Sequence, residues 1–356
     1  MPWRMLPMLT TRACLVTALC LVQLRGDLLR TIQLCENNTW VPAVIGITSA
    51  PAGFIHRRHR FTLWDKRATK LSTSMPLLLY HEERGRPFEP PASVCPVDLF
   101  RSEPWLKDYV RELASEAGIL RKNMSRYLPI ALTHASSTPF LVRKVAAIRH
   151  AVNHVPDGTV VVWLDVDVMV MSPLDSEFFG FVRQHDIMTI GRLPIVSTDP
   201  ETGVVAIVAS ARTRRMMNRA VDLYKWGMVD TAARFGAHGD CGSLSLNDIS
   251  VFKMLISPAK SPGCREWHDS QLSVGWFAVG CPEYERGTRW YQYQKRYEAN
   301  HPVYCKTESK RNQNVSSFNL FKYFAHMKGG NGVMTARLRG DSPGPSTASA
   351  LGDTQV

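Results

Sequence analysis

Apolar positions along the chain fall into two alternating periods. Residues 41–50 (VPAVIGITSA) are β-branched and nearly continuous until Pro51 and Gly53 break the run, which is how a buried strand enters a loop. Residues 75–83 (MPLLLYHEE) predict a second strand. A helical period follows in SEPWLKDYVREL: Ser102 serves as N-cap, Pro104 sits in the first turn, and Trp105, Leu106, Tyr109, Val110 and Leu113 recur at helical spacing. In PFLVRKVAAIRHAV the stripe is Leu141, Val145, Ile148 and Val152, and the PDG after it turns the chain into a strand at Val160. Strands at 186–191 and 203–209 and a helix in ARTRRMMNRAVDLYKWG continue the alternation. Strands without polar interruption, alternating with helices, predict an α/β sheet covered on both faces. No internal repeat is present.

The two ends differ from this middle. Arg4 and Arg12 precede ACLVTALCLVQL (13–24), an apolar run of signal-peptide length and shorter than the roughly 20 residues a membrane span needs. Residues 1–30 are therefore expected to be a signal peptide or a short membrane anchor. From 335 the composition shifts to Gly, Ser, Pro and Asp without apolar period, so 335–356 is expected to be a disordered tail, leaving one domain at 31–334. Export fits two further features. Sequons stand at Asn37, Asn123 and Asn314. Cys14 and Cys20 fall in the apolar run, and Cys35, Cys95, Cys241, Cys264, Cys281 and Cys305 make an even set without zinc spacing, so lumenal disulfides are expected.

The formal net charge is +12 and the pI about 9.4, which favours an anionic partner. Apart from HRRHR (56–60), the basic residues are scattered. A phosphate-bearing substrate fits that distribution better than nucleic acid does.

The chemistry concentrates in VVVWLDVDVMVMSPLD (160–175). Carboxylates are costly to bury without a partner, yet Asp165 and Asp167 follow an apolar strand directly. Residues i and i+2 of a strand share a side, so both carboxylates are expected to enter the crevice where open α/β sheets bind ligands. Paired hard oxygens suit manganese or magnesium, which keep positions for phosphate oxygens. The pair would hold a metal, and the metal a diphosphate.

This stretch resembles the centre of the GT-A-fold glycosyltransferases, nucleotide-sugar enzymes whose Asp-x-Asp binds a divalent metal on the donor pyrophosphate. Three further stretches resemble that family in order. Arg143 and Lys144 are similar to basic residues that many members carry near the donor, on the helix before the motif. ETGVVAI (201–207) resembles the turn entering a strand beside the donor sugar. HMKGG (326–330) resembles the late element of the glycogenin-like and galactosyltransferase branches, in which the His completes the metal site and a Lys touches phosphate. The resemblance implies a GT-A-like, Rossmann-type mixed sheet flanked by helices in a single catalytic domain. It implies Asp165, Asp167 and His326 as metal ligands, and Arg143, Lys144, Lys328, Gly329 and Gly330 as donor contacts. The glycines would let backbone approach phosphate closely.

For acidic roles toward the sugar the candidates are Glu201, Asp240 and Asp248. Asp248 opens an apolar-periodic segment, so N-capping competes with a donor-facing role, and inversion versus retention stays open. The expected activity is metal-dependent transfer of a hexose from a nucleotide sugar, UDP rather than GDP, to a glycan or glycoprotein acceptor. The expected address is the secretory pathway, in the Golgi lumen or membrane. Two other readings remain: a non-catalytic lumenal glycan-binding protein on the same fold, and a haloacid-dehalogenase-type phosphotransferase. The second wants Thr or Val where Met169 stands.

Overall fold

The computed structural model describes residues 44–50, 75–82, 94–115, 118–128, 138–165, 168–170, 173–191, 200–236, 244, 246–256, 265–278, 318–319 and 324–326. The expectations for 1–30 and 335–356, and those on Asp167, Asp240, Lys328, Gly329 and Gly330, lie outside these residues.

The strands are β1 Val44–Ala50, β2 Leu77–His81, β3 Cys95–Asp98, β4 Val160–Leu164, β5 Val168–Val170, β6 Ile187–Gly191, β7 Pro200–Val208, β8 Val274–Ala278, β9 Phe318–Asn319 and β10 Phe324–His326. Among the described residues, eight of them form one sheet in the order β3-β2-β1-β4-β7-β6-β8-β9, while β5 and β10 form a separate pair. All neighbours in the large sheet run parallel except at β7, which is antiparallel to both β4 and β6. The sheet is thus mixed, as expected.

The helices are α1 Leu99–Ser102, α2 Pro104–Ala114, α3 Ile119–Tyr127, α4 Thr138–His154, α5 Ser176–Val182, α6 Ala211–Asp222, α7 Met228–Phe235 and α8 Asp248–Ile256, with a π-helical turn, Leu223–Gly227, between α6 and α7. Alternate residues of the strands serve opposite layers. Ile45, Ile47, Leu78, Tyr80, Val161, Trp163, Val205 and Ile207 join one core with α4, α6 and α8. On the other face Phe178 of α5 stacks on Phe277 of β8, ring centroids 5.7 Å apart. Both faces are therefore covered, and β4 is buried along its whole length. Fully burying a side chain such as Phe178 contributes about 1.5–3 kcal/mol.

Local signals mark the joints. Asp98 caps α1 by accepting from Arg101 N at 3.0 Å, and Asp175 caps α5 by accepting from Phe178 N at 3.1 Å. Ser210 and Thr213 form a reciprocal capping box on α6. Gly158, with φ +82°, makes the turn after α4, and its N–H donates to Ala209 O at 2.8 Å.

Four expectations need correction. Ser102 closes α1 rather than capping α2, because Asp98 starts the helical region earlier; Glu103 holds the cap position without a capping bond. Its carboxylate instead accepts from Trp105 Nε1 at 2.5 Å and Arg149 Nη1 at 2.6 Å. β4 ends at Leu164, so Asp165 follows the strand instead of lying within it. β7 begins at Pro200, so Glu201 lies within a strand instead of a turn. Finally, α4 is buried nearly all round, since Val142, Arg143, Lys144, Ala146 and Ala147 are as enclosed as the apolar stripe.

Candidate functional site

Parallel strands bring their carboxyl ends to one edge of the sheet, and chain order reverses between β1 and β4, where ligands bind in open α/β sheets. Thr48 Oγ1 of β1 donates to Leu164 O at 2.7 Å across this switch point. Asp165 follows directly, its N–H donating to Gly203 O at 2.9 Å. Because β7 runs backwards, its first residues reach the same edge. Glu201 pairs with Ile190 where the β6–β7 register shifts, a bulge of the kind common beside active sites.

Lys144 organises this edge. Its ammonium stands 2.8 Å from Asp165 Oδ1, 3.2 Å from Asp165 Oδ2 and 2.5 Å from Asp248 Oδ2. It also donates to Thr202 O at 3.1 Å and lies 3.2 Å from Thr202 Oγ1. The Thr202 hydroxyl donates in turn to Asp248 Oδ2. Trp163 Nε1 donates to Asp165 Oδ1 at 2.7 Å, and its ring lies 5.6 Å from Lys144 Nζ. Burial alone would lower the Lys144 pKa; Asp165, then Asp248, outweigh it and hold the ammonium above its ordinary value. Lys144 and Asp248 are deeply buried, whereas the Asp165 side chain is 24% exposed.

Behind this cluster, Arg143 is ion-paired with Glu82 at the end of β2, both side chains buried. Burial lowers the Arg143 pKa to about 10. About two and three turns further along α4, polar contacts continue: His150 Nδ1 shares a 2.9 Å hydrogen bond with the Tyr80 hydroxyl, and His154 Nδ1 donates to His150 O at 2.7 Å. Burial first, then His154 and Arg149, lower the His150 pKa to about 3. The Tyr224 hydroxyl, fully enclosed in the π-helical turn, makes no hydrogen bond among the described residues, and burial with the Asp248 charge pushes its pKa well up.

The late element reaches the same place through its backbone. β10 pairs antiparallel with β5, with His326 opposite Val168, one residue past Asp167. The metal question turns on the donor set. Asp165 offers a partly open carboxylate at the strand end, and the residues joined to it by sequence and register are an aspartate and a histidine. Carboxylate oxygens suit manganese or magnesium, and an added imidazole shifts the preference away from magnesium toward the transition metals. Among the described side chains no group of three or more His, Cys, Asp or Glu gathers as a metal site. Asp167 and the His326 side chain are not among the described side chains.

Of the residues singled out from sequence, the structure gathers Lys144, Asp165 and Asp248 in one contact cluster, places Arg143 one residue away on Glu82, and sets Glu201 and His326 at the same edge by backbone register. Thr202, Trp163 and Glu82 were not anticipated. Trp163 carried a signal, since it lies two positions before Asp165. Glu82 ends a strand in the crevice. Thr202 carried none beyond its place between Glu201 and Gly203.

Neither protein-family models nor curated protein sequences match this chain. Among solved structures it is similar to the glycosyltransferase GlyE of Streptococcus pneumoniae TIGR4, with 11% identity, TM-score 0.32, and coverage of 76% of this chain and 57% of that one. The chain thus spans little over half the length of GlyE. It is also similar to the galactosyltransferase LgtC, solved with donor and acceptor sugar analogues, with 9% identity, TM-score 0.34, and coverage of 72% of this chain and 95% of that one. Likenesses this remote assign no activity.

Proposed function

We propose that this chain is a metal-dependent glycosyltransferase that moves a hexose from a nucleotide sugar, a UDP-sugar rather than a GDP-sugar, to a glycan or glycoprotein acceptor. The observation that carries the reading is the β10–β5 register, which sets His326 opposite Val168, three residues past Asp165. Asp165, Asp167 and His326 would hold manganese or magnesium. When bound, the cation would supply compensation for charge developing on the departing diphosphate. Lys328 would add a positive charge for the same leaving group, and Gly329 and Gly330 would admit phosphate close to the backbone.

Glu201, Asp240 and Asp248 are the acids available to meet sugar hydroxyls or an acceptor. Asp248, engaged by Lys144 and Thr202, suits orientation better than proton transfer. A lumenal address in the secretory pathway fits the apolar leader, the sequons and the disulfide that Cys95 makes. Among the described residues no helix is long and apolar enough to cross a membrane.

The test is a hydrolysis screen over nucleotide sugars with and without manganese, run beside Asp167→Asn. Turnover should require metal, and the variant should lose at least about 100-fold. Undiminished turnover of Asp167→Asn would refute the assignment, and metal-free glycan binding without turnover would favour a lectin-like protein.

A further inference from the structure

We propose that Lys144 is a positioning residue, bracing the Asp165 carboxylate against Asp248 and Thr202, and that it does not contact the diphosphate of the donor. The inference rests on the metal-site reading above and departs from it in the role of this one cation. An ammonium has three protons and no acceptor capacity. Asp165, Asp248 and the Thr202 carbonyl stand at 2.8, 2.5 and 3.1 Å from Nζ, each within reach of one proton. A phosphate oxygen could enter only by displacing one of them inside a site where Lys144 is 5% exposed.

The anchors come from three different elements: Asp165 from the end of β4, Thr202 from the start of β7, and Asp248 from the first residue of α8. The Thr202 hydroxyl closes the ring by donating to Asp248, and Trp163 Nε1 fixes the other side of Asp165 Oδ1. Asp165 Oδ1 is thereby held from two directions while its side chain keeps an open edge toward solvent. Groups that hold a metal-binding carboxylate in this manner tune metal affinity without touching the substrate.

The two roles for Lys144 predict opposite readouts on the full chain. Manganese alone and UDP in chelator are titrated by calorimetry into wild type, Lys144→Met and Thr202→Val. The brace predicts that manganese binds about 10- to 100-fold more weakly to both variants, with UDP affinity in chelator unchanged. Thr202→Val preserves shape and charge, so it carries the test if Lys144→Met does not fold, and Lys144→Arg should lose less than Lys144→Met because it keeps the charge but not the three-way geometry. Unchanged manganese affinity in the variants overturns the brace. Weaker UDP binding in chelator for Lys144→Met makes Lys144 a donor contact and overturns it equally. A wild type that binds no manganese overturns the metal-site reading, and this inference with it.

Discussion

Lys144→Met should destabilise the metal-free protein by an amount that the geometry bounds. The substitution keeps an unbranched side chain in the α4 position but removes the ammonium. Asp248, whose side chain is 5% exposed, loses a partner at 2.5 Å, and Asp165 loses one at 2.8 Å. Deleting one member of a buried ion pair costs about 3–5 kcal/mol, because the remaining charge stays desolvated. Water can reach Asp165, whose side chain is 24% exposed, which moves the expectation to the lower end, about 3 kcal/mol. A domain with about 5–15 kcal/mol of stability survives that loss but shows it clearly. Urea unfolding at neutral pH should give a lower midpoint with an unchanged slope. In Lys144→Met/Asp248→Asn the uncompensated carboxylate is gone, so the double variant should recover stability relative to Lys144→Met, by about 1–2 kcal/mol. A Lys144→Met unfolding free energy within about 0.5 kcal/mol of wild type would mean that Lys144 is not buried against these carboxylates.

Two further outcomes follow from the packing around this edge. The His150 imidazole, with its pKa lowered to about 3 by burial, stays neutral in the fold while the unfolded chain takes up a proton below about pH 6.5. Stability should therefore fall as pH drops through that window, by at most about 1.4 kcal/mol per unit from this group; His150→Gln should flatten the slope, and parallel curves for the two proteins between pH 6 and 4 would refute the assignment. Gly227→Ala would drive a Cβ into the Trp267 indole, so thermal unfolding should show a loss of about 1–3 kcal/mol, and an unchanged melting temperature would contradict the close packing of the π-helical turn on Trp267.

The sequence pattern revealed β1, β2, β4, β6, β7, α2, α4 and α6 because β-branched runs and helical stripes are local properties. The direction of β7 was not legible: a period of two reads the same both ways, and only the long-range partners β4 and β6 decide it. Lys144 shows the same limit at the site. On an amphipathic helix a lysine belongs by default to the wet face, and what encloses this one is Asp248, far along the chain, together with Thr202. Asp165 stood out because a carboxylate directly after the apolar run VVVWL needs a partner, and the structure gives it Lys144. The π-helical turn was unreadable for a different reason, since an inserted residue leaves the apolar stripe of α6 and α7 nearly intact.

The β10–β5 pair carries a consequence for the order in which the protein is made. Everything needed for β4, β5 and the brace has left the ribosome long before residues 324–326 are synthesised, yet β5 pairs with nothing else among the described residues. The large sheet is built mostly from earlier segments and can consolidate first, while this non-local pairing must wait. A chain interrupted before Phe324 would keep most of the sheet-forming sequence but lack β10, the strand that sets His326 opposite Val168. The β10–β5 pairing is then late in biosynthesis, and on the proposed reading a chain interrupted earlier would lack one ligand of the metal site.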